Sequence, residues 1–176
     1  FFSSSYVVGL FMFNNNFLNQ GCGVIDIGYE KTTIALFENS CLIHLRSLPI
    51  GSNHITKAIS KGCYLSEKES ESIKLDSILF KDFIKKEESN AFLPKEYFLE
   101  SKYRKISLNF IKDIISYRIN EILNLITQEI KNVEKFEIIN KNLFFVGNGS
   151  KIKKLIETFS LNPGVSILNL KSEELN

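Results

Sequence analysis

Between Gly21 and Gly51 short apolar runs alternate with polar breaks, and the spacing predicts three strands in succession. GCGVIDI is an apolar run that suits a buried strand over about 22–27. Asp26 lies inside it, where an unpaired carboxylate would be costly. Gly28 ends it, where a turn needs backbone freedom or a ligand needs close approach. Thr33 to Phe37 resume strand composition, so a second strand is expected over 32–38. Glu38-Asn39-Ser40 reads as a turn, and Cys41 to Leu48 as a third strand, over 41–49 at the widest.

Further on, the period lengthens. Ser52 or Asn53 can cap a helix running to about Lys61, with Ile55 and Ile59 on one face and Gly62 as its stop. Ser66 opens a second helix, with Glu69 three residues on as a capping box. Between Ile78 and Lys105 charged clusters interrupt aromatic-rich runs, and Pro94 argues against a helix. A small separate lobe with two or three short strands is expected there. Leu108, Ile111, Ile115, Ile119, Ile122, Ile126 and Ile130 then recur at steps of three and four, which predicts one long amphipathic helix over 107–131. Asn142 to Val146 reads as a buried strand, Ser150 to Phe159 as a helix, Pro163-Gly164 as a turn and Val165 to Leu168 as a last strand. Residues 1–13 are expected to form a helix end packed on the sheet, with Asn14-Asn15-Asn16 as a loop.

Composition narrows the function classes. A chain of 176 residues, 44% apolar and 24% charged, can build a real core and is not a disordered segment. A net charge of +2, with basic and acidic residues interspersed, gives no case for nucleic acid. The apolar start, FFSSSYVVGLFMF, is shorter than the ~20 residues a helix needs to cross a bilayer and has no basic leader. Starting at Phe, the chain reads as a fragment. Three cysteines without metal-ligand spacing read as buried thiols in a reducing cytoplasm. His44 and His54 have no partner pattern for a metal or a catalytic dyad, and no Ser-His-Asp, Cys-His or paired-carboxylate constellation stands out.

An acid and a glycine closing a core strand suit a phosphate or metal site, or a plain turn that the carboxylate caps. Gly147 and Gly149 after a buried strand would let a ligand approach the backbone, or simply close a strand-to-helix turn. Glu71 and Lys74 lie three apart on one predicted helix face, as do Arg118 and Glu121 on the long helix, off its apolar stripe. Either pair can be a surface ion pair of small worth.

Five segments, in order, resemble the actin-like ATPase superfamily and, within it, the bacterial cell-division protein family FtsA. Asp26-Ile27-Gly28, with Thr32 after it, resembles the phosphate turn D-I-G-G-G-T-T. Arg46 to Thr56 resembles R-x-I-P-I-G-G-N-x-I-T, and Ser70-Glu71-Ser72-Ile73-Lys74 resembles A-E-x-x-K. Ile114 to Ile122 resembles I-I-x-x-R-x-x-E-I, and Phe144 to Ser150 an apolar strand running into G-G-G-S. The resemblance covers roughly Gly21 to Phe159.

It implies an α/β fold, the ribonuclease H-like lobe of an actin-like ATPase with a small inserted α+β subdomain, as a partial fold. Residues 1–76 and 140–176 would form the core lobe and 77–139 the inserted one. It implies ATP with Mg²⁺ as cofactor. Asp26 would orient the metal's waters, Gly28 and Thr32 would contact phosphate, and Glu71, Lys74, Gly147, Gly149 and Ser150 would line the adenosine site. Arg118 and Glu121 would meet the C-terminal tail of the tubulin-like protein FtsZ. Self-association into filaments is implied too, at the cytoplasmic face of the inner membrane. Membrane binding would come through an amphipathic helix that this chain does not reach, and the first half of the family's length would also be missing.

The resemblance departs at Tyr29 and Glu30, which replace two of the turn's glycines; Glu30 sets a negative charge beside polyphosphate, and Lys31 only partly offsets it. Weak or absent ATP binding and no hydrolysis by this chain alone are therefore expected. Two rivals share the fold: a pilus-assembly protein, whose phosphate turn is less glycine-rich, and a sugar or acetate kinase, whose substrate base has no counterpart here.

Overall fold

The computed structural model describes residue 9 and residues 21–76, 91–133 and 142–152. Apart from residue 9, the elements expected over 1–13, 14–16, 153–159 and 163–168 lie outside the described residues, as does 77–90 of the expected small lobe. The chain divides into two compact units, residues 1–52 with 122–176 and residues 53–121.

In the first unit β1 (Cys22–Ile27), β2 (Thr32–Glu38) and β3 (Cys41–Leu48) form an antiparallel meander. A fourth strand, β4 (Leu143–Val146), joins β1 in parallel, so the sheet order is β3-β2-β1-β4. Val24, Ile25, Ile27, Ile34, Leu36, Phe37 and Phe144 are buried in this core. β1 and β2 are covered on both faces, so their residues are buried in succession and not in alternation, with only Asp26 and Glu38 half-buried. The edge strand β3 is exposed along most of its length. The expected turn between β2 and β3 is a two-residue one, with Asn39 at φ 49° and Ser40 at φ 61°, the geometry that suits a right-twisted hairpin.

In the second unit α1 (Asn53–Cys63) and α2 (Glu67–Leu75) follow. Ser66 caps α2, and the capping box with Glu69 is complete. Gly62 does not end α1, as its composition suggested. The helix continues to Cys63, and Tyr64 takes the left-handed position at φ 50°. A Cβ on Gly62 would lie 2.7 Å from Ile114 Cδ1, so the glycine leaves room for the end of that side chain against α1. Arg104 donates to the carbonyls of Cys63 and Tyr64 and so satisfies the end of α1.

Where short strands were expected, the described part of 78–105 holds one isolated bridge, Phe92 to Ser107, and a single 3₁₀ turn, Lys95–Tyr97. Pro94, which lacks an N–H, precedes that turn and stops a ladder from extending. The segment is tied to α2 instead. Glu69 is fully buried, and its carboxylate accepts from Glu100 N, Ser101 N and the Ser101 hydroxyl at 2.7, 2.8 and 2.6 Å. The Tyr97 hydroxyl also donates to Asp76. The long helix α3 (Leu108–Lys131) matches its predicted span, and Ile111, Ile115, Ile119, Ile122, Ile126 and Ile130 are buried as one stripe.

Cys22 and Cys63 are buried, but Cys41 is exposed at the head of the edge strand, against the expectation of buried thiols throughout. Burial pushes the Cys22 thiol up to about 12, which leaves it inert.

Candidate functional site

The parallel pairing of β1 with β4 sets two candidate turns side by side at the carboxyl ends of those strands, where ligands of α/β sheets commonly bind. Asp26 pairs with Val146 in register, so Gly28 and Gly147 leave the sheet at the same end. Gly147 has φ +83°, and a Cβ there would collide with Asp26 Oδ1 and lie 2.6 Å from the Ile27 carbonyl oxygen. A Cβ on Gly149 would likewise lie 2.9 Å from that oxygen. The Gly147–Gly149 turn thus packs directly on the end of β1. Asn148–Lys151 forms a 3₁₀ turn, and the Ser150 hydroxyl donates back to the Gly147 carbonyl at 2.7 Å.

The other turn is closed by Gly28 N donating to Lys31 O at 2.9 Å. Ser52 N donates to Gly28 O at 3.0 Å, and the buried Thr32 hydroxyl donates to Ile50 O at 2.7 Å. Thr32 therefore braces the turn through its hydroxyl. Tyr29, Glu30 and Lys31 are exposed. Asp26, Gly28, Thr32, Gly147, Gly149 and Ser150 are thus all in the first unit, around the ends of β1 and β4.

Glu71 and Lys74 belong to the second unit. Their pair is not the solvated one that spacing alone allows. The Lys74 side chain is 2% exposed, and its Nζ lies 2.8 Å from Glu71 Oε2. Thr56, fully buried on α1, donates to the same Oε2 at 2.5 Å. A buried ammonium needs such compensation. Thr56 had no assigned role in the sequence, although it closes the Arg46–Thr56 segment; the signal was its place in that motif.

Arg118 and Glu121 pair at 2.6 Å (Nη1 to Oε2) with each side chain 38% exposed, and the guanidinium lies 5.8 Å from the Tyr117 ring centroid. Arg118 also lines a groove of about 450 Å³ within the second unit. Ala58, Gly62, Phe110, Ile114 and Tyr117 form its apolar lining, with Lys61 and Asp113 beside them. Phe110 and Tyr117 are exposed aromatic rings on a helix that buries its other face. The sequence pointed to Arg118 and Glu121 but not to this groove, because α1 and α3 come together only in the fold.

Among the described residues no three His, Cys, Asp or Glu side chains gather to hold a metal, and no helix is long and apolar enough to cross a membrane.

Comparison with known proteins places this architecture. The profile of the family described as cell division protein FtsA matches residues 23–169. The FtsA of Bacillus subtilis is 30% identical over 115 residues, 65% of this chain and 26% of that protein. The FtsA of Agrobacterium fabrum is 25% identical over 163 residues, 89% of this chain and 35% of that protein. The chain thus spans about a quarter to a third of the length of these curated relatives. MreB 5 of Spiroplasma citri bound to AMPPNP shares the fold with a TM-score of 0.62 at 19% identity, over 98% of this chain and 54% of that one. A PilM–PilN type IV pilus biogenesis complex matches with a TM-score of 0.55 at 17% identity, over 92% and 42%. The fold is that of the actin-like ATPases, in part, and the chain belongs to the FtsA family of cell-division proteins.

Proposed function

We propose that this chain is part of a protein that links the FtsZ ring to the membrane and self-polymerises, with nucleotide as a conformational cofactor. The observation that supports it most is the groove beside Arg118, at the family motif Ile114–Ile122. An apolar cleft between helices, edged by an arginine, suits a short peptide with apolar and acidic side chains. In this reading the groove takes the FtsZ tail, and Arg118, steadied by Glu121, offers its remaining N–H groups to a carboxylate. The site of action would be the cytoplasmic face of the membrane at the division septum.

For nucleotide, the residues at hand fit in part. The two turns beside Asp26 suit phosphate and ribose, and Asp26 would reach Mg²⁺ through its waters. Glu71 and Lys74 would serve the adenosine end. Tyr29 and Glu30 oppose polyphosphate, so binding by this chain alone would be weak. That turn favours a second reading, a pilus-assembly protein of the same fold, or a remnant that binds no nucleotide.

The test is fluorescence anisotropy of a labelled FtsZ tail peptide with the chain, at two salt concentrations, with Arg118→Ala in parallel. Binding in the micromolar range or weaker is expected, reduced by salt and by Arg118→Ala. No binding would sink the FtsZ link for this chain.

A further inference from the structure

The groove carries two charges that the Arg118 motif does not account for. Lys61 is exposed in the last turn of α1, and Asp113 is exposed on α3. Both line the groove. Among the described residues, neither the Lys61 ammonium nor the Asp113 carboxylate has a hydrogen bond or ion pair, with each other or with another group. Arg118, by contrast, is already engaged, 2.6 Å from Glu121 and over Tyr117. Beside the N–H groups that Arg118 has left over, the groove thus offers an occupant one further cation and one anion, set along an apolar lining.

We infer that Lys61 and Asp113 are the specificity-determining residues of this groove, and that they select a peptide whose apolar anchor is flanked by an acidic residue for Lys61 and a basic residue for Asp113. The inference rests on the peptide-docking reading and adds the charge pattern and direction of the bound segment. Apolar side chains against Phe110, Ile114 and Tyr117 supply most of the affinity, as buried anchors do at other interfaces. Exposed charges at the rim add little energy each, but opposite signs at two places make one chain direction favourable and the reverse repulsive. A uniformly acidic peptide would meet Asp113, and a uniformly basic one would meet Lys61.

Charge exchange tests this directly. The labelled FtsZ tail peptide is titrated against the chain, Lys61→Glu, Asp113→Lys and Arg118→Ala. The titrations are repeated with a peptide whose acidic residues are replaced by lysine, and with one whose basic residues are replaced by glutamate. Lys61→Glu should weaken the natural peptide about threefold to tenfold, the scale of turning one exposed attraction into a repulsion. The lysine-bearing peptide should bind Lys61→Glu better than it binds the parent chain, and the glutamate-bearing peptide should do so for Asp113→Lys. Circular dichroism of each variant shows that the fold is kept, and a rescue is itself proof of folding. Binding that responds to Arg118→Ala but shows no rescue at either position would overturn the inference and leave the docking reading standing. No binding of any peptide to any variant would overturn both.

Discussion

Glu69 makes the sharpest quantitative prediction. Its carboxylate is fully buried and receives four donors. Oε1 accepts from Glu100 N and Ser101 N, and Oε2 from Ser66 N and the Ser101 hydroxyl. Glu69→Gln keeps the shape and replaces one oxygen with an NH₂ group. If the NH₂ takes the Oε1 place, two backbone donors lose their acceptor. If it takes the Oε2 place, the Ser101 hydroxyl can turn and accept, but Ser66 N is left unmatched. The second arrangement is the cheaper, and it still loses a charge-assisted set and strands one N–H. At about 1–3 kcal/mol for a stranded buried donor, and somewhat more for the lost charge, the cost is about 2–4 kcal/mol at pH 7.

The same bonds give a pH signature. Burial works to raise the Glu69 pKa, but the bonds from the Ser101 hydroxyl and from the N–H groups of Ser101, Glu100 and Ser66 outweigh it and hold the group at about 2, against an ordinary 4.5. A depressed carboxylate stabilises the fold fully above its unfolded value and loses that contribution as pH falls from 4.5 towards 2. At ~1.4 kcal/mol per unit the loss is of order 3 kcal/mol. Urea unfolding at pH 7, 4 and 3 reads both effects. The parent should lose stability through that window, and Glu69→Gln should start lower and lose less. A Gln variant within about 0.5 kcal/mol of the parent at pH 7, with the same acid slope, would refute the assignment.

Gly51→Ala should cost about 2–3 kcal/mol by urea unfolding, because its Cβ would lie 2.5 Å from Tyr29 O, 2.7 Å from Gly28 O and 2.8 Å from Lys31 N, all backbone atoms that cannot swing aside. Glu71→Ala should cost about 3 kcal/mol by taking the carboxylate from a buried ammonium, while Lys74→Met, which removes that charge, should cost clearly less; equal losses in thermal unfolding would contradict the buried-pair account. Titration calorimetry should find Mg-ATP binding by the parent at about millimolar or weaker, and Tyr29→Gly with Glu30→Gly should strengthen it, each tenfold being ~1.4 kcal/mol. No gain from the double change would count against a phosphate site at that turn.

The strands and long helix were legible because their signals are local. Period and apolar runs mark β1, β2 and α3 to within a residue or so. Gly62 misled because a glycine's local meaning, a helix stop, lost to a tertiary one, room for Ile114. The 91–107 segment misled for a related reason. Its aromatic runs have strand composition, but its backbone donors at Glu100 and Ser101 go to Glu69, more than thirty positions back. The spacing of Glu69 from Ser66 announced the capping box and could not announce this second use of the same carboxylate.

The two glycine turns carry different weight as signs of a ligand. Gly147 and Gly149 would be required even with no nucleotide, since any Cβ there meets Asp26 or Ile27 across the β1–β4 pair. Their retention therefore testifies to the packing of that turn on β1 and says little about adenosine. Tyr29 and Glu30 stand where side chains reach solvent, and the turn closes through Gly28 and Lys31 whatever occupies those two positions. The turn thus closes with side chains at both positions, whereas glycines there would leave bare backbone against which a phosphate could lie. The nucleotide reading proposed for this chain therefore turns on residues 29 and 30, where glycines would open the backbone to a phosphate and Tyr29 and Glu30 would stand against one.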